Sequence, residues 1–272
     1  MWALKILLVL GLVYAAVVAA IFFAQTSIIF PSRMVEGAGP PPPGAERLVV
    51  VGAEGHRLHG LHISPLRAAR QGPVILGFAG NAWNAENAAG YLADLYPEAD
   101  IVTFHYRGYR PSEGSPGAAG LRADALPIHQ FVAERFPGRP IVAVGFSIGT
   151  GVAASLAGRR DIAGAILVTP FDSLASVAGG HYRWLPVRLL LRHRMEPAQD
   201  LKGSRVPIAL IAAERDTLIP PSRAQALSKA VPNLVFNRTM RGVGHNDIYQ
   251  LPEFRQAMDL ALEAVLRGSP HP

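Results

Sequence analysis

Between Ala3 and Ala24 the chain is apolar except at Lys5, and only Gly11 and Tyr14 interrupt a run of Leu, Val, Ala, Ile and Phe. About 20 helical residues of this kind are what the hydrocarbon core of a bilayer demands. A globular helix of that length would carry a polar stripe, and none is present. The pattern therefore predicts an N-terminal membrane helix within residues 1–25. Val18-Ala19-Ala20 offers the small residues of a signal-peptide cleavage site, but the apolar run continues through Ile21-Phe22-Phe23, longer than a signal peptide's core. The amino terminus and Lys5 precede the run and Arg33 follows it. Positive charge on the inner side then puts the N-terminus in the cytoplasm and the rest of the chain on the extracytoplasmic side of a single-pass protein.

Residues 26–45 form a Pro/Gly-rich linker with four consecutive prolines, Pro40 to Pro43. Beyond it, short apolar runs alternate with helical stretches. Strands are expected at Arg47–Val51, Leu58–Ile63, Pro73–Phe78, Ile101–His105, Ile141–Val144, Ala163–Val168, Ile208–Ala212 and Asn233–Thr239. Helices are expected from about Glu86 to Leu95, from Ala118 to Phe136 with a kink at Pro127, after Gly149, and as an amphipathic closing helix from Pro252 to Leu266. Strands alternating with helices predict an α/β domain over residues 46–268, a mostly parallel central sheet with helices on both faces. Sites in such sheets lie beyond the carboxyl ends of the strands.

Composition narrows the chemistry. The 272 residues contain no cysteine, which excludes disulfides, thiol catalysis and thiolate-bound metals. The net charge is +6, but the arginines are scattered and not gathered with aromatics into a patch, so no nucleic-acid partner is expected.

The candidate chemistry centres on Gly145-Phe146-Ser147-Ile148-Gly149. A strand, a sharp turn and a helix with serine at the apex form a nucleophile elbow, whose strained backbone requires nearly side-chain-free neighbours. Ser147 is the expected nucleophile, and the Ile148 amide at the helix start is expected to donate to an oxyanion. The order serine, acid, histidine is the one this fold uses. Of the histidines downstream of Ser147, which are His181, His193, His245 and His271, His245 in the glycine-flanked loop after the last strand is the expected base; His193, in a basic helix, and His271, in the terminal tail, are set aside. Asp216, beyond the strand Ile208–Ala212, is the expected acid, with Asp172 and Glu214 as alternatives. Asp172 could instead cap a helix, and Asp247 a turn. The loop Ala79-Gly80-Asn81 would supply the second oxyanion amide, that of Asn81.

These stretches, together with Tyr106-Arg107-Gly108-Tyr109-Arg110-Pro111-Ser112-Glu113-Gly114, Glu214-Arg215-Asp216 and Gly244-His245-Asn246, resemble the membrane-anchored α/β-hydrolase-domain (ABHD) serine hydrolases of the Bem family over essentially residues 47–266. The resemblance implies an α/β-hydrolase fold, Ser147, Asp216 and His245 as a catalytic triad, Asn81 and Ile148 as oxyanion amides, and no metal or organic cofactor. One position departs from the family pattern. Ala79 replaces the usual histidine, which puts the rigidity of that loop in question.

A lid-like insertion is expected around residues 173–200. Trp184, Leu185 and Leu189 to Leu191 give it an apolar surface, and Arg183, Arg188, Arg192 and Arg194 a basic one, suited to anionic headgroups. The expectation is a membrane-anchored hydrolase of carboxylic esters or thioesters, acting on small-molecule or lipid acyl substrates. An acyltransferase and a non-catalytic binding protein are the alternatives on the same fold.

Overall fold

The computed structural model describes residues 1–37, 39–42, 44–65 and 72–269. Pro43 of the proline run and His271 therefore lie outside the described residues. A first helix, α1, spans Trp2–Ile29, followed by a short 3-10 turn at Ser32–Met34. The strands are β1 Glu46–Val51, β2 Arg57–Ile63, β3 Val74–Phe78, β4 Asp100–Phe104, β5 Ile141–Phe146, β6 Gly164–Val168, β7 Ile208–Ala213 and β8 Leu234–Met240. The main helices between them are α2 Ala85–Leu95, α3 Ala118–Arg135 and α4 Ile148–Ala157. The insertion holds α5 Leu174–His181, α6 Val187–Leu190 and α7 Pro197–Asp200; α8 Pro221–Ala230 and α9 Pro252–Gly268 complete the chain.

These eight strands form one sheet in the order β1-β2-β4-β3-β5-β6-β7-β8. β1 and β2 pair antiparallel at one edge, β2 meets β4 antiparallel, and every pair from β4 to β8 is parallel. β3, β5 and β6 are buried at every residue, as expected of strands covered on both faces. Two apolar layers flank them. On one side Leu76, Ala143 and Leu167 of the sheet pack with Leu121, Val152 and Leu156 of α3 and α4; on the other Ile75, Val144 and Ile166 pack with Leu92 of α2 and Phe254 and Met258 of α9.

Helix α3 runs unbroken from Ala118 to Arg135 with Pro127 inside it, where the sequence predicts a kink. Helix α1 extends past the apolar run to Ile29 because its last turns dock on the insertion. The Gln25 amide nitrogen donates to the Phe22 and Leu190 carbonyls, its oxygen accepts from the Arg192 amide, and the Thr26 hydroxyl lies 2.8 Å from His193 Nε2. Burial and the neighbouring Arg192 hold the His193 pKa below the usual histidine value. Phe30, just beyond the helix, is buried and stands edge-on to the His193 ring.

The loop after β4 is fixed by a buried ion pair. Arg107 donates from Nε and Nη2 to the two carboxylate oxygens of Asp124 on α3, at 2.7 and 2.6 Å, and both residues are buried. Hydrogen bonding to Asp124 raises the Arg107 pKa. Removing one partner of such a pair strands the other charge in the core. Arg107→Met is expected to destabilise the domain by about 3–5 kcal/mol, read as a lower denaturant midpoint, and Arg107→Met/Asp124→Leu to recover part of that loss, because Asp124 also accepts the Ala53 amide at 2.9 Å.

Candidate active site

At the carboxyl end of β5 the chain reverses into α4 through Ser147, whose φ of 51° and ψ of −118° are costly for a residue with a Cβ. Close backbone packing holds it there. A Cβ on Gly145 would lie 2.5 Å from the Gly149 carbonyl oxygen, and one on Gly149 would collide with the Phe78 carbonyl of β3. The Ser147 amide donates to the Val168 carbonyl at 2.9 Å, tying the turn to the end of β6. Ile148 is the first residue of α4, a position whose amide has no acceptor within the helix.

Three side chains from separate loops meet here. His245 Nε2 lies 3.0 Å from Ser147 Oγ, and His245 Nδ1 lies 2.6 Å from Asp216 Oδ2. Asp216 is buried, and its other oxygen accepts the Leu218 and Ile219 amides at 2.9 and 2.7 Å. In the tautomer that donates Nδ1–H to that carboxylate, Nε2 is the acceptor facing Ser147 Oγ.

The other acids weighed in the sequence are engaged elsewhere. Asp172 pairs with Arg223 at 3.3 Å. The cap of α5 is Ser173, whose hydroxyl accepts the Ser176 amide, and not Asp172. Glu214 accepts the Gly242 amide at 2.7 Å, and Asp247 accepts the Gly244 amide at 3.3 Å. His181 bonds to the Leu218 carbonyl and His193 to Thr26.

Asn81 borders the same pocket, and among the described residues its amide donates to no protein acceptor. The loop carrying it is tied down despite the alanine at position 79. Tyr106 OH donates to the Ala79 carbonyl at 2.8 Å, and Tyr109 OH to Asn81 Oδ1 at 3.0 Å. Two tyrosines of the Tyr-Arg-Gly-Tyr stretch thus hold the loop from the neighbouring strand's end. Burial raises the pKa of both phenols, so they act as neutral donors.

The pocket above Ser147 has a volume of about 440 Å³, within the range of small-molecule sites. Sequence reasoning missed its aromatic wall. Trp83 packs on Phe146 and Tyr91 at centroid distances of 5.1 and 5.4 Å, and on Tyr249 at 5.6 Å. Tyr91 OH donates to the Tyr249 carbonyl. Burial pushes the Tyr91 and Tyr249 pKa values up to about 12, so this wall is uncharged and suits an apolar group better than an ionic one. A second strained residue, Thr169 with φ 48°, sits directly after β6 and is buried. The signal available in sequence was the clustering of Trp83 and Tyr91 around the Asn81 loop; Tyr249, 158 residues from its partner Tyr91, gave none.

Comparison with known proteins agrees with the topology. Residues 74–193 match a family model described as the α/β-hydrolase fold. An uncharacterized protein of Mycobacterium tuberculosis is 32% identical over 255 residues, covering 90% of this chain and 89% of that one. The lysophosphatidylserine lipase ABHD12 of Danio rerio is 28% identical over 233 residues, 74% of this chain and 59% of that protein's length. Among solved structures, an α/β hydrolase from Vibrio vulnificus superposes with a TM-score of 0.69 at 19% identity, covering 90% of this chain and 92% of the other. The Pyrococcus furiosus esterase Pf2001 gives 0.68 at 15% identity, covering 84% and 95%. The eight-stranded sheet, the turn at Ser147 after its fifth strand and the family-model match give this chain the α/β-hydrolase fold, and the relative matched over nine-tenths of the chain puts it in one family with that mycobacterial protein.

Proposed function

We propose that this chain is a membrane-anchored serine hydrolase that cleaves carboxylic esters or thioesters of acyl-chain substrates. The observation that carries the reading is the continuous hydrogen-bonded line from Ser147 through His245 to Asp216 at a strained elbow. In this reading His245 takes the Ser147 proton as Oγ attacks the acyl carbonyl. Asp216 holds the imidazole and stabilises its positive charge. The amides of Asn81 and Ile148 receive the oxyanion, a term worth about 3–4 kcal/mol per donor in comparable sites. His245 then gives its proton to the leaving group, and water releases the acyl-enzyme by the same steps in reverse.

The membrane part of the proposal rests on α1. It is 28 residues long, its most apolar window has a mean hydropathy of 2.9, and none of that window is buried against the domain. We assign residues 1–25 as the anchor, 26–45 as the linker and 46–268 as the catalytic domain, facing the extracytoplasmic side. The likeness to a lysophosphatidylserine lipase supports lipid esters as the substrate class.

The test is turnover by the purified protein in phospholipid vesicles, given a lysophospholipid and a water-soluble short-chain ester. Fatty acid release from the lipid supports the reading, and a folded protein that turns over neither substrate contradicts it.

A basic lid makes a further demand. Arg192 is occupied, with its guanidinium 5.0 Å from the centre of the Phe22 ring and donating to the Phe22 carbonyl, whereas Arg188 and Arg194, near the end of the anchor, are exposed. Each basic residue near an anionic surface contributes about 1 kcal/mol of attraction. Arg188→Glu/Arg194→Glu is therefore expected to lower activity on anionic vesicles by roughly tenfold or more while leaving soluble-ester turnover unchanged. Equal loss on both substrates would remove the lid from membrane contact.

A further inference from the structure

Helix α1 does more in this structure than precede the domain. Its last turns and the insertion line a half-open cavity of about 290 Å³, separate from the pocket above Ser147. Ile21, Phe22 and Ile28 line it from the helix, and Ala178, Leu190 and Leu191 from the insertion. The one amide side chain in the lining, Gln25, is tied up by the Phe22 and Leu190 carbonyls and the Arg192 amide, so the cavity presents hydrocarbon.

Its depth follows from two contacts along α1. Gln25 bonds to Leu190 and Arg192, while Tyr14 OH donates to the Trp184 carbonyl at 2.9 Å, 11 residues nearer the N-terminus. At 1.5 Å per residue those contacts are about 16 Å apart along the axis. The insertion thus lies alongside the apolar helix over about half the thickness of a bilayer's hydrocarbon core, roughly 30 Å. Trp184 and Leu189 are about half and largely exposed beside it, which suits side chains that face lipid. A hydrocarbon-lined space at this depth meets acyl chains and not water.

We infer that this cavity binds one acyl chain of a bilayer lipid. The inference rests on the membrane-anchored reading of α1 and not on catalysis at Ser147. A chain bound there would fix the insertion against the anchor. The insertion reaches the catalytic pocket through His181, whose ring bonds to the carbonyl of Leu218, a residue lining that pocket.

The experiment uses the full chain in phosphatidylcholine/phosphatidylglycerol vesicles containing a phosphatidylglycerol with a diazirine near the end of one acyl chain. After irradiation, adducts are mapped by mass spectrometry. Leu191 discriminates, because it is only 9% exposed and lines the cavity, so an adduct there reports a chain inside it. The expected result is an adduct at Leu191 beside those on the exposed residues of α1. Ala178→Trp and Ile21→Trp, which fill the cavity from opposite walls, should lower the Leu191 adduct by about tenfold and leave adducts at Val9 and Val13 unchanged. An unlabelled Leu191 in a wild type whose α1 is labelled overturns the inference, whether or not either variant accumulates; so does a Leu191 adduct that a folded variant leaves at the wild-type level. A protein that carbonate washes from the vesicles instead contradicts the anchoring on which the inference rests.

Discussion

Ser147→Ala is expected to lower kcat for ester hydrolysis by on the order of 10⁴ to 10⁶, with the protein still folded and still retained in membranes. The hydroxyl is the only atom that forms the acyl bond in the proposed mechanism, so nothing in the site can replace it. The side chain is partly exposed at the pocket floor and contributes little to packing, so its removal leaves the elbow's backbone bonds to Val168 in place. His245→Ala should cost about as much, because an alcohol without a base is a poor nucleophile at neutral pH. The double variant should be no worse than either single one, since residues that act as one unit lose their whole effect at the first deletion. Additive losses in steady-state kinetics would mean that the two side chains act independently.

Asp216→Asn is expected to lower kcat by about 10⁴, with KM changed far less. The substitution keeps the shape. Its amide oxygen can still accept the Leu218 and Ile219 amides, so the turn should survive. The nitrogen that replaces Oδ2 then faces His245 Nδ1 as a donor, which favours the tautomer carrying its proton on Nε2, the wrong nitrogen for accepting from Ser147. Asp172→Asn removes only a long ion pair to Arg223 and should change kcat by no more than a few-fold. A larger loss at Asp172 than at Asp216 would move the acid to the end of the preceding strand.

Much of this was legible in the sequence wherever a local rule had a single solution. Gly145 and Gly149 are required because carbonyl oxygens lie well inside van der Waals contact of where their side chains would begin, and the pentapeptide shows that directly. The buried strands appeared as continuous apolar runs, with ends displaced by a residue or so because periodicity does not see the ladder. Asp216 and His245 could be ranked from their places after β7 and β8, but Asp172 and Glu214 stayed open until their actual partners, Arg223 and the Gly242 amide, were in view.

What could not be seen depends on contacts between distant residues. Tyr106 and Tyr109 brace the Asn81 loop from 27 and 28 positions away, which answers the question raised by Ala79. Gln25 marks, in sequence, only the polar end of an apolar run; its bonds to Leu190 and Arg192 cross about 165 residues. The short helices α5 to α7 carry no usable period, so the insertion's position against α1 had no local signature.

The central claim is that Ser147 is activated by His245. Its most direct test is labelling of membranes from expressing cells with a fluorophosphonate probe, comparing the wild type with Ser147→Ala and His245→Ala at matched protein levels. The expected result is a labelled wild type and unlabelled variants. A folded, membrane-retained wild type that fails to label, or a His245→Ala variant that labels at the wild-type rate, would contradict it.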